Sequence, residues 1–213
     1  MGLIDEKDAA KLAQIFSGLP HEVRIVYFTQ EHECAYCKTT REILTELCAL
    51  SDKLELEVLD FVADRARAEE YGVDKIPATA LMGAEDYGIR FYGVPAGYEF
   101  TALVEGIIDV GRRSADLPEP LLAELRAWDR PVHLQVAVSP TCPYCPAAVR
   151  AAHSLALMGK SIRADMVEIS EFPHLAVKYG VQGVPHTVIE EVHSVVGAMP
   201  PAELFERIKE ALA

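Results

Sequence analysis

The 213-residue sequence contains no asparagine, only four glutamines (Gln14, Gln30, Gln135 and Gln182) and a single tryptophan. Depletion of thermolabile amides is a mark of heat-adapted proteins, so the composition points to a thermophile. That matters for cysteine, because intracellular hyperthermophile proteins are an exception to the rule that cytosolic proteins lack disulfides. Cations are scarce as well: 20 lysines and arginines face 33 acidic residues, for a net charge of −13. Such a balance argues against nucleic acid or an anionic membrane as the main partner. No apolar run reaches the length of a bilayer span, and Met1 to Lys7 lacks a basic stretch followed by an apolar one. Met1-Gly2 opens like an acylation signal, but Glu6 stands where serine or threonine is expected. The expectation is therefore a soluble cytoplasmic protein with no membrane or nucleic-acid partner. With 50% hydrophobic residues, the chain can bury one large core or two small ones.

What the sequence does have is a dithiol motif at a telling place. Cys142-Pro143-Tyr144-Cys145 follows the apolar run Val132 to Val138 and opens an apolar-periodic helix. A cysteine at a helix N-terminus faces unpaired backbone N–H groups and the positive end of the macrodipole, which stabilise its thiolate. Only the thiolate attacks: a thiol of pKa near 8.5 is about 3% thiolate at pH 7, whereas one near 6 is about 90%. The second cysteine, about one turn deeper, is shielded until the first has reacted. Pro143 suits the first helical position, where its missing N–H costs nothing.

Taken in order, residues 5–17 carry apolar positions at helical spacing, and Val23 to Phe28 reads as a buried strand that runs into Cys34-Ala35-Tyr36-Cys37. A helix through Ile43 to Leu50, a strand over Leu54 to Leu59 and a short helix over Ala63 to Tyr71 come next. Lys75 to Leu81, a hairpin near Gly83 to Gly88, a strand over Ile89 to Tyr92 and a helix from Tyr98 to Arg112 complete the unit. The same order then returns. Cys34 and Cys142, Cys37 and Cys145, and Pro77 and Pro185 are each 108 residues apart, and Tyr71 to Thr79 aligns with Tyr179 to Thr187 at that offset. Past the hairpin Gly93 matches Gly197 at an offset of 104, so the second hairpin should be about four residues shorter. Internal repetition on this scale predicts an α/β protein of two tandem units. Ser114, Asp116, Pro118 and Pro120 break the pattern, which divides the chain into residues 1–115 and 116–213. A linker this short suggests that the two sheets pack as one body, able to join into one continuous sheet.

A Cys-x-x-Cys at a strand-to-helix turn, with Ile76-Pro77 or Val184-Pro185 forty residues beyond it, resembles the thioredoxin superfamily. The doubled arrangement, including Phe91-Tyr92-Gly93-Val94-Pro95-Ala96-Gly97, closely resembles the two-unit, glutaredoxin-like protein disulfide oxidoreductases of thermophilic archaea and bacteria. The resemblance implies two thioredoxin-like units, each a central mixed sheet flanked by helices. It also implies dithiol–disulfide exchange on protein substrates, in reduction, oxidation and isomerisation, as in protein disulfide isomerases. Cys34 and Cys142 would attack and Cys37 and Cys145 resolve. Ile76-Pro77 and Val184-Pro185 would be cis peptide bonds whose exposed backbone pairs with an extended substrate. Redox-active disulfides in the chain would suffice without a metal or organic cofactor, while a flavin-dependent, thioredoxin-reductase-like enzyme is the implied partner and a peroxiredoxin a further candidate. Thioredoxin itself carries an acid six positions before its first cysteine; here Phe28 and Val136 stand there, so proton handling is unassigned.

Other readings stand beside these. The cysteine pairs could be structural disulfides or share a zinc ion, although zinc ribbons space their pairs by about 15–20 residues. Cys48, between Leu47 and Leu50, suits core packing, with a regulatory thiol as the alternative. His32 lies two residues before Cys34 and His186 directly after Pro185, where each is either a solvated or packed histidine or a proton carrier. Asp60 and Glu168 coincide at the 108 offset, as solvated strand ends or as a repeated proton acceptor. Because of Pro143 the second site is expected to be the more active. A relay or client-binding module with little turnover of its own is the alternative function.

Overall fold

The computed structural model describes residues 2–213, and each half of the chain lays down the same succession of elements. The first half runs α1 (Glu6–Ser17), β1 (Val23–Thr29), α2 (Cys37–Cys48), β2 (Leu54–Asp60), α3 (Arg65–Glu70), β3 (Ala78–Met82), β4 (Asp86–Tyr92) and α4 (Glu99–Arg112). The second runs α5 (Glu119–Ala127), β5 (Val132–Val138), α6 (Cys145–Met158), β6 (Ile162–Glu168), α7 (Pro173–Tyr179), β7 (His186–Ile189), β8 (His193–Val196) and α8 (Pro201–Ala211). As the offsets predict, the second hairpin is the shorter.

All eight strands join one mixed sheet in the order β2-β1-β3-β4-β6-β5-β7-β8. Within each half the inner strand pairs parallel with one neighbour and antiparallel with the other. Strands β1 and β5 read as nearly unbroken apolar runs because helices cover both sheet faces. One buried cluster on the first face draws side chains from α1, α2, α4, α5, α6 and α8, and a smaller one on the other face involves α3 and α7. The larger cluster runs without interruption through both halves.

The halves fuse where β4 pairs parallel with β6, Ile89 opposite Ala164 through Tyr92 opposite Val167. Gly88 permits this approach: its φ is +74°, and a Cβ there would sit 2.9 Å from the Ile162 carbonyl oxygen. Polar groups at the seam are paired. Arg163 donates to Asp165 at 2.9 Å and to the Tyr92 hydroxyl at 2.7 Å, and His133 Nε2 lies 2.6 Å from the other Asp165 oxygen. Burial alone would raise the Asp165 carboxyl, but the His133 hydrogen bond and the charges of His133 and Arg163 bring it down to about 2. On the helical face Arg150 of α6 reaches Glu105 and Asp109 of α4 at 3.3 and 3.7 Å.

Because β1, β4, β5 and β6 all run in the same direction, the C-terminal ends of β1 and β5 open on one edge of the sheet. Both cysteine motifs therefore lie along that edge. Three strands separate them, a span of about 19 Å at roughly 4.8 Å per strand.

Beneath the α4–α6 contact lies His153, whose ring nitrogens are buried without a hydrogen-bond partner and whose ring meets Phe91 edge-on at 4.8 Å. Burial pushes its pKa down to about 4. The unfolded chain takes up this proton near pH 6.5 and the folded chain only near pH 4, so stability is full above 6.5 and falls as pH drops through that window. Chemical unfolding between pH 7 and pH 4 should show this decline, and His153→Leu should flatten it.

Candidate functional site

At the first motif β1 ends at Thr29, Glu33 takes a left-handed φ of 56°, and α2 begins at Cys37 with Tyr36 as its cap. Cys34 is half-buried and disulfide-bonded to Cys37, which is 3% exposed. The hydroxyl of buried Tyr27 donates to the Cys37 carbonyl at 2.7 Å, tying the start of the helix to the sheet. Burial pushes the Tyr27 phenol up to about 12, so it stays a donor at neutral pH. A cavity of about 520 Å³ opens beside the two sulfurs, with Lys38, Arg41, Asp60 and Asp64 on its walls. Asp60 is engaged in its own turn, accepting from the Val62 and Ala63 amides at 2.9 and 2.7 Å.

The second motif is more enclosed. Cys142 is 9% exposed and Cys145 fully buried, and both are free thiols. Cys142 Sγ lies 3.7 Å from the carbonyl oxygen of Val184, to which it can donate. Burial, and then the hydrogen bond and charge of Cys142, drive the Cys145 pKa strongly upward. The first helical residue here is Cys145, not Pro143. Pro143 lies in the preceding turn and Pro146 takes the early-helix place, because the turn Ser139-to-Cys142, closed at 3.0 Å, delays the helix. In each motif the first cysteine thus faces the helix N-terminus from just outside it, and the tyrosine between the cysteines is exposed, Tyr36 at 46% and Tyr144 at 71%.

Both Ile76–Pro77 and Val184–Pro185 are cis. Each proline carbonyl accepts from the glycine after the next hairpin, Gly93 to Pro77 and Gly197 to Pro185, both at 2.9 Å. Ile76 and Val184 are partly exposed at the same edge as the cysteines. His186 is buried in β7 with Nε2 unpartnered and its pKa lowered by burial. His32 is exposed in the loop before Cys34. Cys48 is half-buried, and burial pushes its thiol up to about 12, which suits core packing. Glu168 closes a turn, accepting from Ser170 Oγ at 2.7 Å and the Glu171 amide at 2.9 Å. Among the described residues no group of three or more histidine, cysteine, aspartate or glutamate side chains is placed to hold a metal.

One residue at the second site carries no motif of its own. Glu99, at the first position of α4, is 0% exposed with both carboxylate oxygens unpartnered, and burial pushes it up to about 8. It acts on Cys145 through space, its charge adding to the upward shift of that thiol. The first half of the chain delivers it: the Tyr98 amide donates to the Pro140 carbonyl at 3.0 Å, and Gly97, at φ +62°, abuts the same oxygen. An acid six positions before the cysteine is absent, and a carboxyl forty-three residues before it stands close by instead. The signal in the sequence is faint: the counterpart of Glu99 at the 104 offset is also a glutamate, Glu203.

Two dithiols at helix N-termini, each beside a cis-proline loop at the carboxyl edge of such a sheet, define a thioredoxin-superfamily protein with tandem thioredoxin-like halves. Residues 132–210 match the family described as Thioredoxin domain. The chain is 28% identical to the NTD_N/C domain of alkyl hydroperoxide reductase AhpF from Enterococcus faecalis, covering 96% of this chain and 99% of that one with a TM-score of 0.89. It is also 28% identical to a protein disulfide oxidoreductase from Aeropyrum pernix, over 99% and 95% of the two chains, with a TM-score of 0.90. A component of the alkyl hydroperoxide reductase of Staphylococcus aureus is 24% identical over 180 residues, 79% of this chain and 33% of that protein. The chain spans about a third of the length of the curated relatives it matches. The chain shares with the protein disulfide oxidoreductase and the AhpF domain a thiol–disulfide oxidoreductase-type fold, and it carries two Cys-x-x-Cys motifs.

Gly97 tests how the second site is assembled. A Cβ there would lie 2.3 Å from the Pro140 carbonyl oxygen. Gly97→Ala should destabilise by more than the roughly 1–2 kcal/mol of a left-handed alanine. It should also slow disulfide exchange at Cys142 while sparing Cys34, as read by denaturant unfolding and by mass-resolved alkylation of each pair.

Proposed function

We propose that the chain is a protein dithiol–disulfide oxidoreductase with two sites, acting in reduction, oxidation and isomerisation of protein disulfides in the cytoplasm. The observation that carries this reading is the contact of Cys142 Sγ with the Val184 carbonyl beside cis-Pro185. A nucleophilic sulfur and an accessible backbone acceptor for an extended chain occupy one spot. Cys34 and Ile76–Pro77 play the same parts in the first half. The chain's own cysteines carry the electrons. A thioredoxin-reductase-like flavoenzyme is the electron donor, and a peroxiredoxin is one acceptor.

At the second site the Cys142 thiolate attacks a substrate disulfide. A mixed disulfide forms, and one substrate sulfur leaves as thiolate. Cys145 must then lose its proton to attack Cys142, and its burial opposes that loss. Glu99 takes the proton; a carboxyl with a pKa near 8 is about one-tenth ionised at pH 7, close enough to the working range to accept and return it. The Cys142–Cys145 disulfide forms, the second substrate thiol is released, and two electrons have moved from protein to substrate. The oxidising direction reverses these steps.

A second reading, a relay module feeding a peroxiredoxin, is favoured by the likeness to alkyl hydroperoxide reductase AhpF and by the unequal enclosure of the two dithiols. Insulin-reduction assays separate the readings. Cys142→Ser should cost more activity than Cys34→Ser, because only the second site has Glu99; equal losses would sink that ranking, and loss in neither would leave the relay. Glu99→Gln should slow the resolving step at least about tenfold and flatten its rise with pH between 7 and 9. The same substitution should make the protein relatively more stable at alkaline pH. The raised folded pKa means that wild-type stability is full below about pH 4.5 and declines as pH climbs to about 8.

A further inference from the structure

We propose that Glu171 is a positioning residue for the second dithiol, clamping the loop 93–98 so that the first turn of α4, and Glu99 with it, is held against Cys145. The inference rests on the reading of Glu99 as proton acceptor given above.

Glu171 lies just past β6, in the turn closed by the Glu168 carboxylate. Its Oε1 accepts from the Val94 amide at 2.6 Å, a contact between residues 77 apart in sequence. Glycine at position 93 makes room: a Cβ there would be 2.7 Å from both Glu168 Cβ and Glu171 Oε1. The start of the loop is also tied to the first cis-proline turn through Gly93 to Pro77. Its far end rests on Pro140 through Tyr98, and Glu99 itself donates its amide to the Ala96 carbonyl at 3.2 Å. The segment therefore has an anchor on each side of its buried Pro95.

The molecule contains its own control. In the repeat, Gly197 has nothing within 4 Å of where a Cβ would be, so among the described residues no clamp of this kind faces it. Glu203, the counterpart of Glu99, is exposed. The same kind of segment without a partner carboxylate thus leaves its acid in solvent. Val94 is buried, and a buried backbone N–H left without an acceptor is costly, so the Glu171 oxygen answers a real need of this loop.

The test uses the full chain bearing Cys34→Ser/Cys37→Ser and a chromogenic aryl disulfide as probe. The first thiolate is released when Cys142 attacks, and the second when Cys145 resolves the mixed disulfide. Glu171→Ala is expected to leave the first phase unchanged and to slow the second about fivefold or more, toward the rate of Glu99→Gln. The double variant should be no slower than Glu99→Gln alone, since both changes act through one group. Glu171→Gln keeps an oxygen for the Val94 amide and should stay within about twofold of the parent. Should Glu171→Ala not fold, Glu171→Ser, too short to reach Val94, gives the same comparison. An unchanged second phase in Glu171→Ala, additive slowing in the double variant, or failure of Glu171→Gln to restore the rate overturns the clamp. If Glu99→Gln alone leaves the second phase unchanged, the reading of Glu99 falls and the clamp falls with it; if Glu99→Gln slows it and Glu171→Ala does not, only the clamp falls.

Discussion

The parallel pairing of β4 with β6 is the constraint from which the arrangement of the molecule follows. It turns two four-stranded sheets into one, brings both dithiol edges to the same side and sets α4 of the first half against α6 of the second. Backbone bonds alone would not specify this seam, since any free strand edge offers the same donors and acceptors. Specificity comes from the side chains across it: Arg163 between Asp165 and the Tyr92 hydroxyl, and glycine where the strands approach most closely. Removing one partner of a buried pair such as Arg163–Asp165 strands the other without compensation, at about 3–5 kcal/mol in comparable cases.

The same seam makes the two dithiols unlike, although the sequence repeats. The first lies toward the free β2 edge, beside an open cavity with charged walls of both signs. The second lies in the interior of the fused body, where the loop 93–98 closes over Pro140 and Glu99 stands near Cys145. Burial raises the cost of ionising Cys145, and the same burial gives the nearby carboxyl a pKa in the range useful for moving a proton. One duplicated scaffold thereby offers two chemical environments, and they arise from position in the sheet rather than from the motifs themselves.

How much of this is legible in the sequence depends on the range of each contact. Cysteines three apart at a strand-to-helix turn, the proline forty residues on, and the strand–helix order are local patterns, so they can be read from either repeat and checked against the other. The single sheet follows as a possibility from the short linker around Pro118. Helix starts are less legible: Pro143 looks like the first helical residue, but the turn closed by Ser139 and Cys142 postpones α6 to Cys145. The shared offset of Asp60 and Glu168 leaves solvated strand ends and a repeated proton acceptor both open; in the fold each closes its own turn, and Glu168 is buried.

Spacing along the chain is enough to specify the two dithiols, their shared distance to a proline and the duplicated α/β order, because each of these is a short-range or repeated pattern. Which acid comes to lie near the second dithiol, and what its loop touches, is decided only in the folded molecule. Glu99 and Glu171 reach their places across the seam, and Glu171 meets Val94 over a separation of 77 residues. No periodicity or motif records a contact between elements that meet only after the two halves have paired.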